Sequence, residues 1–454
     1  MYDVCIVGAG PSGLSCAISS RERGMSIALV ECGRPYELRN CSVDNGGKCS
    51  NCIPCNVIAG FGGCVHYGDS AKLSYYPSGK ALYNKLGDDY DRLLNCACEF
   101  WHVQKEAFIR NSILSEEKSY DIKSFPVYVL KSTEIKTILE EAWDRISENG
   151  IVYYQSEMVD FTEKDESIFV KTKDNFEIEC RYLVLAMGRQ GIEWLKTNAI
   201  KKRLTIETPL SSIGVRFEMP KKYLADLGAL HPDFKFRMEY NGYKYKTFCF
   251  CAGKHGGRLK FANYGYYTLL DGHVLTEVDK EHNYGNFALM RQLIRNTEDR
   301  KKVIEVKDKV LAEYVSNFGG RPIFQTYEDF KFCKLSEDYS SVSVPQVKKG
   351  EVFKLFEDGI EDYCFVAEKV FSVIAKYSSC SLNEIIDNTK VIGLEVEGIW
   401  DKVKTDKFFK INGKRIFLGG DCGGESQGIL QATMSGFRIT EGLMKKLVSD
   451  SASS

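Results

Sequence analysis

The chain has 454 residues, enough for two or three domains, and its 61 Lys and Arg residues nearly balance its 62 Asp and Glu residues. The resulting formal net charge of -1 excludes a global positive field that would recruit nucleic acid or an acidic membrane surface. No apolar run approaches the ~20 residues of a membrane span, and a predicted strand begins within the first residues. We therefore expect no signal peptide, no membrane partner and a soluble, cytoplasmic protein.

The first predicted element is a βαβ unit. An apolar, mostly β-branched run over residues 4–7 predicts a buried parallel strand, which is followed by a helix and a second apolar strand. The turn between strand and helix has the pattern G-x-G-x-x-G. In this pattern Gly8 permits the tight turn, Gly10 lets the backbone approach a pyrophosphate, and Gly13 lets helix and strand pack closely.

The residues around this turn add to the same prediction. Pro11 and Ser12 open the helix, whose free N–H groups and positive dipole end would face the phosphates. Glu31 follows the second strand, where it can accept hydrogen bonds from a ribose diol and would repel a 2′-phosphate. The sequence thus predicts dinucleotide binding by a Rossmann-like α/β domain; the alternative is a chance glycine cluster in another α/β fold.

Cysteine is unusually frequent, with 17 residues, and without a secretion signal we expect thiols or metal ligands rather than disulfides. Residues 32–58 predict a long ordered loop that contains Cys41, Cys49, Cys52 and Cys55. Four thiolates can hold a structural Zn ion or an Fe–S cluster. The spacing leaves the fourth ligand open between Cys41 and Cys64, and the alternative, which we favour, is a set of unligated structural thiols.

A glycine-dense loop follows, with Gly60, Gly62 and Gly63. Close to a dinucleotide fold, such a loop is typical of backbone that passes against a flat ring or a phosphate; a surface turn with positive φ is the alternative. His66, Tyr67 and Lys72 come next, and each could donate a proton or polarise a carbonyl, or could be a structural residue.

The remaining elements suggest an inserted domain. Helices are predicted over residues 82–110 and 132–149, and strands over residues 151–154, 167–173, 177–180 and 181–188. Residues 208–374 shift to short alternating segments, with strands predicted at 212–218, 234–240 and 245–251 and helices at 287–297 and 300–317. A strand, a glycine loop and a helix over residues 429–448 then return to the nucleotide, and residues 449–454 are expected to be disordered. We therefore predict a nucleotide-binding domain over residues 1–207 and 375–454 and a mixed α+β substrate domain over residues 208–374.

Three separated segments, residues 8–31, 185–188 and 418–428, together resemble the FAD-binding domain of glutathione-reductase-like flavoproteins. This resemblance implies FAD rather than NAD as the cofactor, with Gly188 in contact with it. It also implies that Asp421 hydrogen-bonds the ribityl chain or the pyrophosphate and that Gly428 and Ile429 open a second helix that faces the cofactor.

Three further segments are similar to those of FAD-dependent dehydrogenases with a Cys-rich loop. They are the three closely spaced cysteines at 49, 52 and 55, the Gly-Phe-Gly-Gly run at 60–63, and Phe-Cys-x-Cys-x-Gly at 248–253. Two segments depart from the family pattern: the usual Ser-Asp-Gly-Lys is Asp-Ser-Ala-Lys at 69–72, and Cys422 replaces a small residue after the Gly-Asp pair. Cys422 is either a packed small residue or a redox thiol that a helix N-terminus would stabilise.

These observations predict an FAD-dependent oxidoreductase that transfers hydride between the flavin and a small organic substrate held between two domains. No second G-x-G-x-x-G follows a strand, so NAD(P)H would have to dock directly on the flavin, or electrons would come from a protein or from the substrate. Basic and aromatic residues alternate over residues 244–260, which leaves a flavoprotein that binds or modifies RNA as an alternative. A redox sensor for a partner protein is a third hypothesis.

Overall fold

The computed structural model describes residues 1–66, 68–110, 113, 115, 117–147, 151–207, 211–277, 281–295, 300–335, 342–344, 346–356, 359–398 and 402–453, without the side chains of residues 300, 301 and 451–453. The strands are β1 (Tyr2–Val7), β2 (Ile27–Val30), β3 (Ala71–Ser74), β4 (Tyr120–Ile122), β5 (Val127–Leu130), β6 (Ile151–Tyr153), β7 (Met158–Lys164), β8 (Ser167–Thr172), β9 (Glu177–Leu185), β10 (Ile206–Glu207), β11 (Ser212–Pro220), β12 (Phe236–Tyr240), β13 (Tyr243–Cys251), β14 (Gly257–Asn263), β15 (Thr268–Val274), β16 (Tyr284–Gln292), β17 (Ile323–Thr326), β18 (Lys348–Lys349), β19 (Lys390–Glu397), β20 (Lys402–Val403) and β21 (Ile416–Leu418). The helices are α1 (Pro11–Glu22), α2 (Lys80–Leu86), α3 (Tyr90–Phe100), α4 (Ser132–Ser147), α5 (Ile192–Asn198), α6 (Lys221–Leu230), α7 (Arg300–Phe318), α8 (Tyr327–Lys331), α9 (Ile360–Ser378), α10 (Leu382–Asp387) and α11 (Ile429–Ser453).

The first sheet is largely parallel and holds the N-terminal unit. Its strand order is β6-β2-β1-β9-β8-β7, and β21 pairs in parallel with the end of β9. Val7 of β1 lies opposite Val30 of β2 and Leu185 of β9, so these strands end at the same edge. Fully buried Val, Ile and Leu residues fill both faces, as expected for a parallel sheet. The predicted α/β, Rossmann-like fold is confirmed.

Helices α1 and α11 pack closely against each other. Ser15 on α1 donates a hydrogen bond to the Thr433 carbonyl at 3.0 Å, and Ser12 and Ser435 share one at 3.0 Å. A Cβ on Gly436 would lie 2.2 Å from the Ser12 carbonyl oxygen, so glycine is needed for this approach. The contact fixes the start of α1 relative to the start of α11, which is where the predicted cofactor segments meet.

The second sheet has eight strands in the order β18-β17-β19-β11-β16-β13-β12-β4, antiparallel except for the β17–β18 pair. Helices α6 and α9 cover it, with a core of Phe217, Phe287 and Phe371. The hairpin β14–β15 forms a separate two-stranded ladder. Strand β19 also belongs to the second sheet although it follows residue 374; the predicted domain boundaries themselves stay a prediction.

Three predicted elements differ from the structure. The helix expected at 287–297 is wrong, because β16 continues to Gln292 and pairs with β11 on one side and β13 on the other. Its Leu, Met, Ala and Arg residues favour helix, but pairing on both edges outweighs this preference. The helix expected at 82–110 is divided at Gly87, which has φ of +54°, and its second half ends at Phe100.

Residues 449–453 of the tail were also wrongly expected to be disordered; Ser454 lies outside the described residues. Helix α11 continues to Ser453, and Asp450 accepts hydrogen bonds from the Tyr182 hydroxyl at 2.6 Å and from Arg415 at 3.2 Å. These contacts tie the last turns of α11 to the first sheet. Within the described ranges, no helix combines the length and the apolar character that crossing a membrane requires.

Candidate functional site

A cavity lies at the carboxyl ends of β1, β2, β9 and β21, and it encloses about 1270 Å³ of space that is partly open to solvent. This edge of a parallel sheet is where open α/β folds bind their ligands. The predicted cofactor residues that line the cavity are Gly8, Gly10, Pro11, Ser12, Glu31, Gly63, Gly188, Asp421, Gly428 and Ile429. The sequence thus predicted most of one wall from segments that are hundreds of residues apart.

Gly8 and Gly13 shape the turn between β1 and α1. Gly8 has φ of +106°, and a Cβ there would lie 2.3 Å from the Ala186 carbonyl oxygen at the end of β9. A Cβ on Gly13 would lie 1.8 Å from the Gly8 carbonyl oxygen. Both positions therefore require glycine for the fold itself, and Gly13 supports the cavity without lining it.

Gly10 differs from its two neighbours. Its φ is -83°, and the nearest atom to a Cβ there, the Gly63 Cα, would be 3.6 Å away, an ordinary contact. The protein therefore has room for a side chain at Gly10, yet the sequence has none. The open space lies at the N-terminus of α1, whose N–H groups and dipole favour phosphate.

Glu31 is buried, and its carboxylate accepts three backbone hydrogen bonds. They come from the amides of Ala9 at 2.7 Å, Gly33 at 2.7 Å and Gly60 at 2.9 Å. The carboxylate thus joins the G-x-G-x-x-G turn to the Gly60–Gly63 loop, which the sequence did not predict. Glu31 also lines the cavity, so the predicted contact with a ribose diol stays a prediction.

Arg39 holds the Gly-Phe-Gly-Gly loop from behind. Its side chain is 1% exposed and donates hydrogen bonds to the carbonyls of Asn56 at 3.0 Å, Phe61 at 2.7 Å and Val65 at 3.1 Å. A Cβ on Gly60 would lie 2.8 Å from the Arg39 side chain, so this glycine makes room for the arginine. Gly60 and Gly62 shape the loop behind the cavity, and Gly63 reaches its wall.

Asp421 and Cys422 follow β21, and their side chains have different surroundings. Asp421 lines the cavity beside the Gly428 amide, and burial raises the pKa of its carboxyl group against the opposing charge of Arg189. Cys422 is fully buried and donates to the carbonyls of Leu185 and Gly419, both at 3.2 Å. Burial raises the pKa of Cys422 to about 12, which favours the packed small residue over the redox thiol among the two alternatives.

Arg189 forms a wall of the cavity that sequence reasoning missed. Its guanidinium lies 2.6 Å from the carboxylate of Asp271 on β15, so this pair joins the first sheet to the inserted segment. Next to it, the buried Nε2 atom of Gln190 has no hydrogen-bond partner among the described residues. A donor left unpaired at a cavity wall fits a ligand that accepts a hydrogen bond there. The sequence did offer a cue to Arg189 and Gln190, because both directly follow the predicted strand that ends at Gly188.

Two of the predicted catalytic residues, His66 and Lys72, have protein partners, and neither lines the cavity. His66 is buried; burial and the nearby charge of Lys260 lower its pKa well below the ordinary value, and its Nδ1 accepts a hydrogen bond from the Gly68 amide at 3.1 Å. Lys72 donates to Asp233 at 3.1 Å and to the Phe250 carbonyl at 2.8 Å. Tyr67, the third predicted residue of this group, lies outside the described residues.

The basic stretch at 244–260 is partly neutralised inside the protein. Lys260 is fully buried and pairs with Asp44 and, at 2.5 Å, with Asp69, while Arg258 lies 2.7 Å from Asp69. Burial opposes the charge on Asp69, but Lys260, His273 and Arg258 lower its pKa. These cations join the loop before β3 to the β14–β15 hairpin and are not presented to a nucleic acid.

The four cysteines of the predicted metal site are not gathered into a ligand set. Across the part of the chain that the structure describes, no three His, Cys, Asp or Glu side chains are close enough to hold a metal ion. Cys52 and Cys55 interact with each other, whereas Cys49 packs against the core around β14 and β19. The chain folds this loop by backbone and apolar contacts instead: Ile53 and Pro54 line the cavity.

A family profile described as an FAD binding domain matches residues 3–42, which include β1, α1 and β2. The N-terminal unit is an FAD-binding domain. The residues around the cavity of this FAD-binding domain fit the cofactor: an open cradle at Gly10, an unpaired donor on Gln190 and a helix N-terminus for the pyrophosphate. No curated protein sequence matches the chain.

The solved structures that align with this chain share little sequence identity with it. CtdE in complex with FAD is 10% identical, with a TM-score of 0.38 over 99% of this chain and 91% of that one. Tetracycline destructase Tet(51) is 12% identical, with a TM-score of 0.36 over 98% of this chain and 82% of that one. The anhydrotetracycline hydroxylase OxyS from Streptomyces rimosus is 10% identical, with a TM-score of 0.41 over 99% of this chain and 62% of that one. These likenesses are too weak to transfer an activity to this protein.

Proposed function

We propose that this flavoprotein is an FAD-dependent oxidoreductase that acts on a small organic substrate. The observation that carries the proposal is the contact between Arg189, on the cavity wall of the FAD-binding domain, and Asp271 on the inserted β14–β15 hairpin. It places a fixed cation where the two parts of the chain meet beside the cofactor cavity. When bound, FAD supplies hydride transfer, and the protein supplies binding and orientation.

Each wall of the cavity has a role in this proposal. Gly8, Gly10 and the start of α1 would bind the pyrophosphate, and Glu31 the adenosine ribose. Asp421 and the start of α11 would hold the ribityl chain. Gln190 would donate its unpaired N–H to the cofactor, and Arg189, held in place by Asp271, would face the substrate. We also propose that the protein groups with the FAD-dependent dehydrogenases that have a Cys-rich loop. NAD(P)H is the electron donor that we propose to test first.

His66, Lys72 and Cys422 have structural roles in this proposal. Each is buried or partly buried and bonded to a neighbouring strand or loop, and none faces the cavity among the described residues. A proton donor must reach the substrate directly or through one water molecule. We therefore assign these side chains to positioning the loop and strands around the cofactor.

The test is anaerobic reduction of the FAD-loaded protein by fractions of a metabolite extract and by NAD(P)H. We expect at least one fraction to bleach the absorbance of oxidised flavin faster than it bleaches free FAD. Arg189→Gln should retain bound FAD and its reduction by dithionite but lose reduction by that fraction. An FAD-loaded protein that no fraction and no nicotinamide reduces, or an Arg189→Gln variant that reacts like the parent, would contradict the proposal.

A further inference from the structure

Two cysteines of β13 lie side by side outside the cofactor cavity. The Sγ atoms of Cys249 and Cys251 are 3.6 Å apart. Residues two apart on a strand share a face but are separated by about 6.6 Å along it, so their side-chain ends do not normally touch. Here the pairing of β13 with β16 shifts register between Phe248 and Cys251, and Cys249 has φ of +49°. This bulge brings the two sulfur atoms together.

Two cations lie next to this pair, the partly buried Lys72 and the fully buried Arg216. Lys72 Nζ lies 3.7 Å from Cys251 Sγ, in addition to its bonds to Asp233 and Phe250. Arg216 is fully buried; its Nε donates to the Glu395 carboxylate at 2.7 Å and its Nη1 to Asn286 at 2.9 Å, whereas its Nη2 atom has no hydrogen-bond partner among the described residues. Glu395 already pairs with this guanidinium, so the unpaired Nη2 N–H is one remaining buried donor that a further acceptor nearby would stabilise.

Gly272 lets the arginine and the cysteines approach each other. A Cβ there would lie 2.4 Å from Arg216 Nη1 and 2.8 Å from Cys251 Sγ, and the Gly272 carbonyl oxygen is 3.4 Å from Cys249 Sγ. Gly272 directly follows Asp271, the partner of Arg189 at the cofactor cavity. The cysteine pair therefore contacts the residue next to Asp271, and Asp271 in turn pairs with Arg189 of the cavity wall.

The surroundings favour one thiolate and one thiol. A hydrogen bond from Cys251, together with the charges of Lys72 and Arg216, lowers the pKa of Cys249 well below its ordinary value even though burial opposes this. Burial and the neighbouring Cys249 raise the pKa of Cys251 well above its ordinary value. A thiolate in contact with a second cysteine is the arrangement of redox-sensitive pairs, in which the first reacts and the second resolves.

We propose that Cys249 and Cys251 are a peroxide-reactive dithiol that closes reversibly to a disulfide. The Cys249 thiolate attacks one oxygen of hydrogen peroxide, whose O–O bond breaks, giving a sulfenic acid and hydroxide. The Cys251 sulfur then attacks the Cys249 sulfur; the S–S bond forms, and the sulfenic oxygen leaves as water with the Cys251 proton. An external thiol reopens the disulfide by two exchanges and is itself oxidised to a disulfide. A small oxidant fits the site because Cys251 is buried and Cys249 is only partly exposed.

Closure would change the charge beside the cavity wall. The disulfide has no thiolate, so Lys72 and Arg216 lose one neighbouring anion. Their carboxylate partners, Asp233 and Glu395, remain. Asp271 interacts electrostatically with Cys249 and also pairs with Arg189 of the cavity wall. The redox state of the two cysteines would therefore change the electrostatic potential at the cofactor site. This inference does not depend on the proposed catalytic activity.

The test is mass spectrometry of the full chain after titration with hydrogen peroxide, acid quenching and alkylation under denaturing conditions. Trypsin releases both cysteines, and no other, in one peptide of residues 247–254, TFCFCAGK. Before oxidation we expect this peptide to be doubly alkylated. After oxidation it should carry no alkyl group and be about 2 Da, the mass of two hydrogens, lighter than the reduced, unalkylated peptide. Dithiothreitol should restore double alkylation. The readout is the same with or without FAD.

Two variants assign the roles of the sulfur atoms. Cys251→Ser should stop at a sulfenic acid on Cys249 that dimedone traps, and Cys249→Ser should leave Cys251 alkylated after peroxide. Cys333→Ser, at an exposed cysteine, is the control and should close like the parent. If the parent peptide stays doubly alkylated at doses that oxidise Cys333, or if closure occurs only between cysteines of another peptide, the proposal is overturned.

Discussion

The Glu31 carboxylate accepts a hydrogen bond from the Gly60 amide at 2.9 Å, and this bond joins the end of β2 to the glycine loop behind the cofactor cavity. The same carboxylate binds the amides of Ala9 and Gly33. An acid at this position is thus a structural clamp for two loops as well as a candidate ribose ligand. The two roles can be separated by measuring the free energy of unfolding of the protein without FAD, in which only the structural role contributes.

Glu31→Gln should destabilise the FAD-free protein. An amide retains one acceptor oxygen but places an NH2 group against a backbone N–H, so at least one buried amide loses its partner. We expect a loss of about 1–3 kcal/mol in the free energy of unfolding, measured with urea. Glu157→Gln, at an exposed residue of the same cavity, is the control and should change stability little. Equal urea midpoints for Glu31→Gln and the parent would contradict the clamp.

Glu218, in the core of the second sheet, should make stability depend on pH. Burial raises the pKa of its carboxyl group to about 7 from an ordinary 4.5, although hydrogen bonds from Ser343 oppose the shift. The folded protein therefore binds the proton more tightly than the unfolded chain, and the stabilisation, fully present below pH 4.5, is lost as pH rises through 7. Relative to Glu218→Gln, the parent should lose up to roughly 3 kcal/mol between pH 4.5 and pH 8. A stability difference that is the same at both pH values would contradict this.

Cys52→Ser tests the cysteine loop. A hydrogen bond from Cys55 lowers the pKa of Cys52 to about 6, and the Cys52 sulfur accepts from the Asn56 amide at 3.4 Å. Because the backbone and the neighbours Ile53 and Pro54 form the cavity wall, we expect unchanged FAD content in the variant and no metal in either protein. Elemental analysis of anaerobically purified protein and flavin absorbance measure both. About one Zn or a few Fe per chain, lost in the variant, would restore the ligand hypothesis.

The parts that the sequence predicted are those in which neighbouring residues determine the structure. Gly8, Gly13 and Glu31 fall into their positions because strand, turn and helix are contiguous and the required backbone approach excludes a Cβ at both glycines. Asp421 was placed by resemblance to a family motif rather than by local chemistry. Its position in the cavity depends on the contact between α1 and α11.

Long-range contacts decided the parts that could not be predicted. The residues of β16 favour a helix by themselves, and only pairing with β11 and β13 makes them a strand. Arg189 and Asp271 are 82 residues apart, and no local pattern joins them. The Cys-x-Cys pair at 249 and 251 was visible as a motif, but the bulge that joins its sulfur atoms was not. The sequence left Cys422 open between a packed small residue and a redox thiol, because its complete burial depends on the rest of the fold.

Gly10 and Gly253 offer a matched pair for testing the cofactor site. Neither has a positive φ, and a Cβ would meet its nearest atom at 3.6 Å on Gly10 and 3.5 Å on Gly253, both ordinary contacts. The two glycines differ in their position relative to the cavity: Gly10 lines it at the start of α1, and Gly253 lies outside it. Neither Gly10→Ala nor Gly253→Ala should unfold the protein.

The most direct measurement is calorimetric titration of the FAD-free parent, Gly10→Ala and Gly253→Ala proteins with FAD. We expect about one FAD per chain for the parent and for Gly253→Ala. In Gly10→Ala, the added methyl group should weaken binding at least ~10-fold, a loss of about 1.4 kcal/mol, while the urea midpoint stays that of the parent. A parent protein that takes up no FAD, or a Gly10→Ala variant that binds it as tightly as Gly253→Ala does, would contradict the assignment of this cavity to the cofactor.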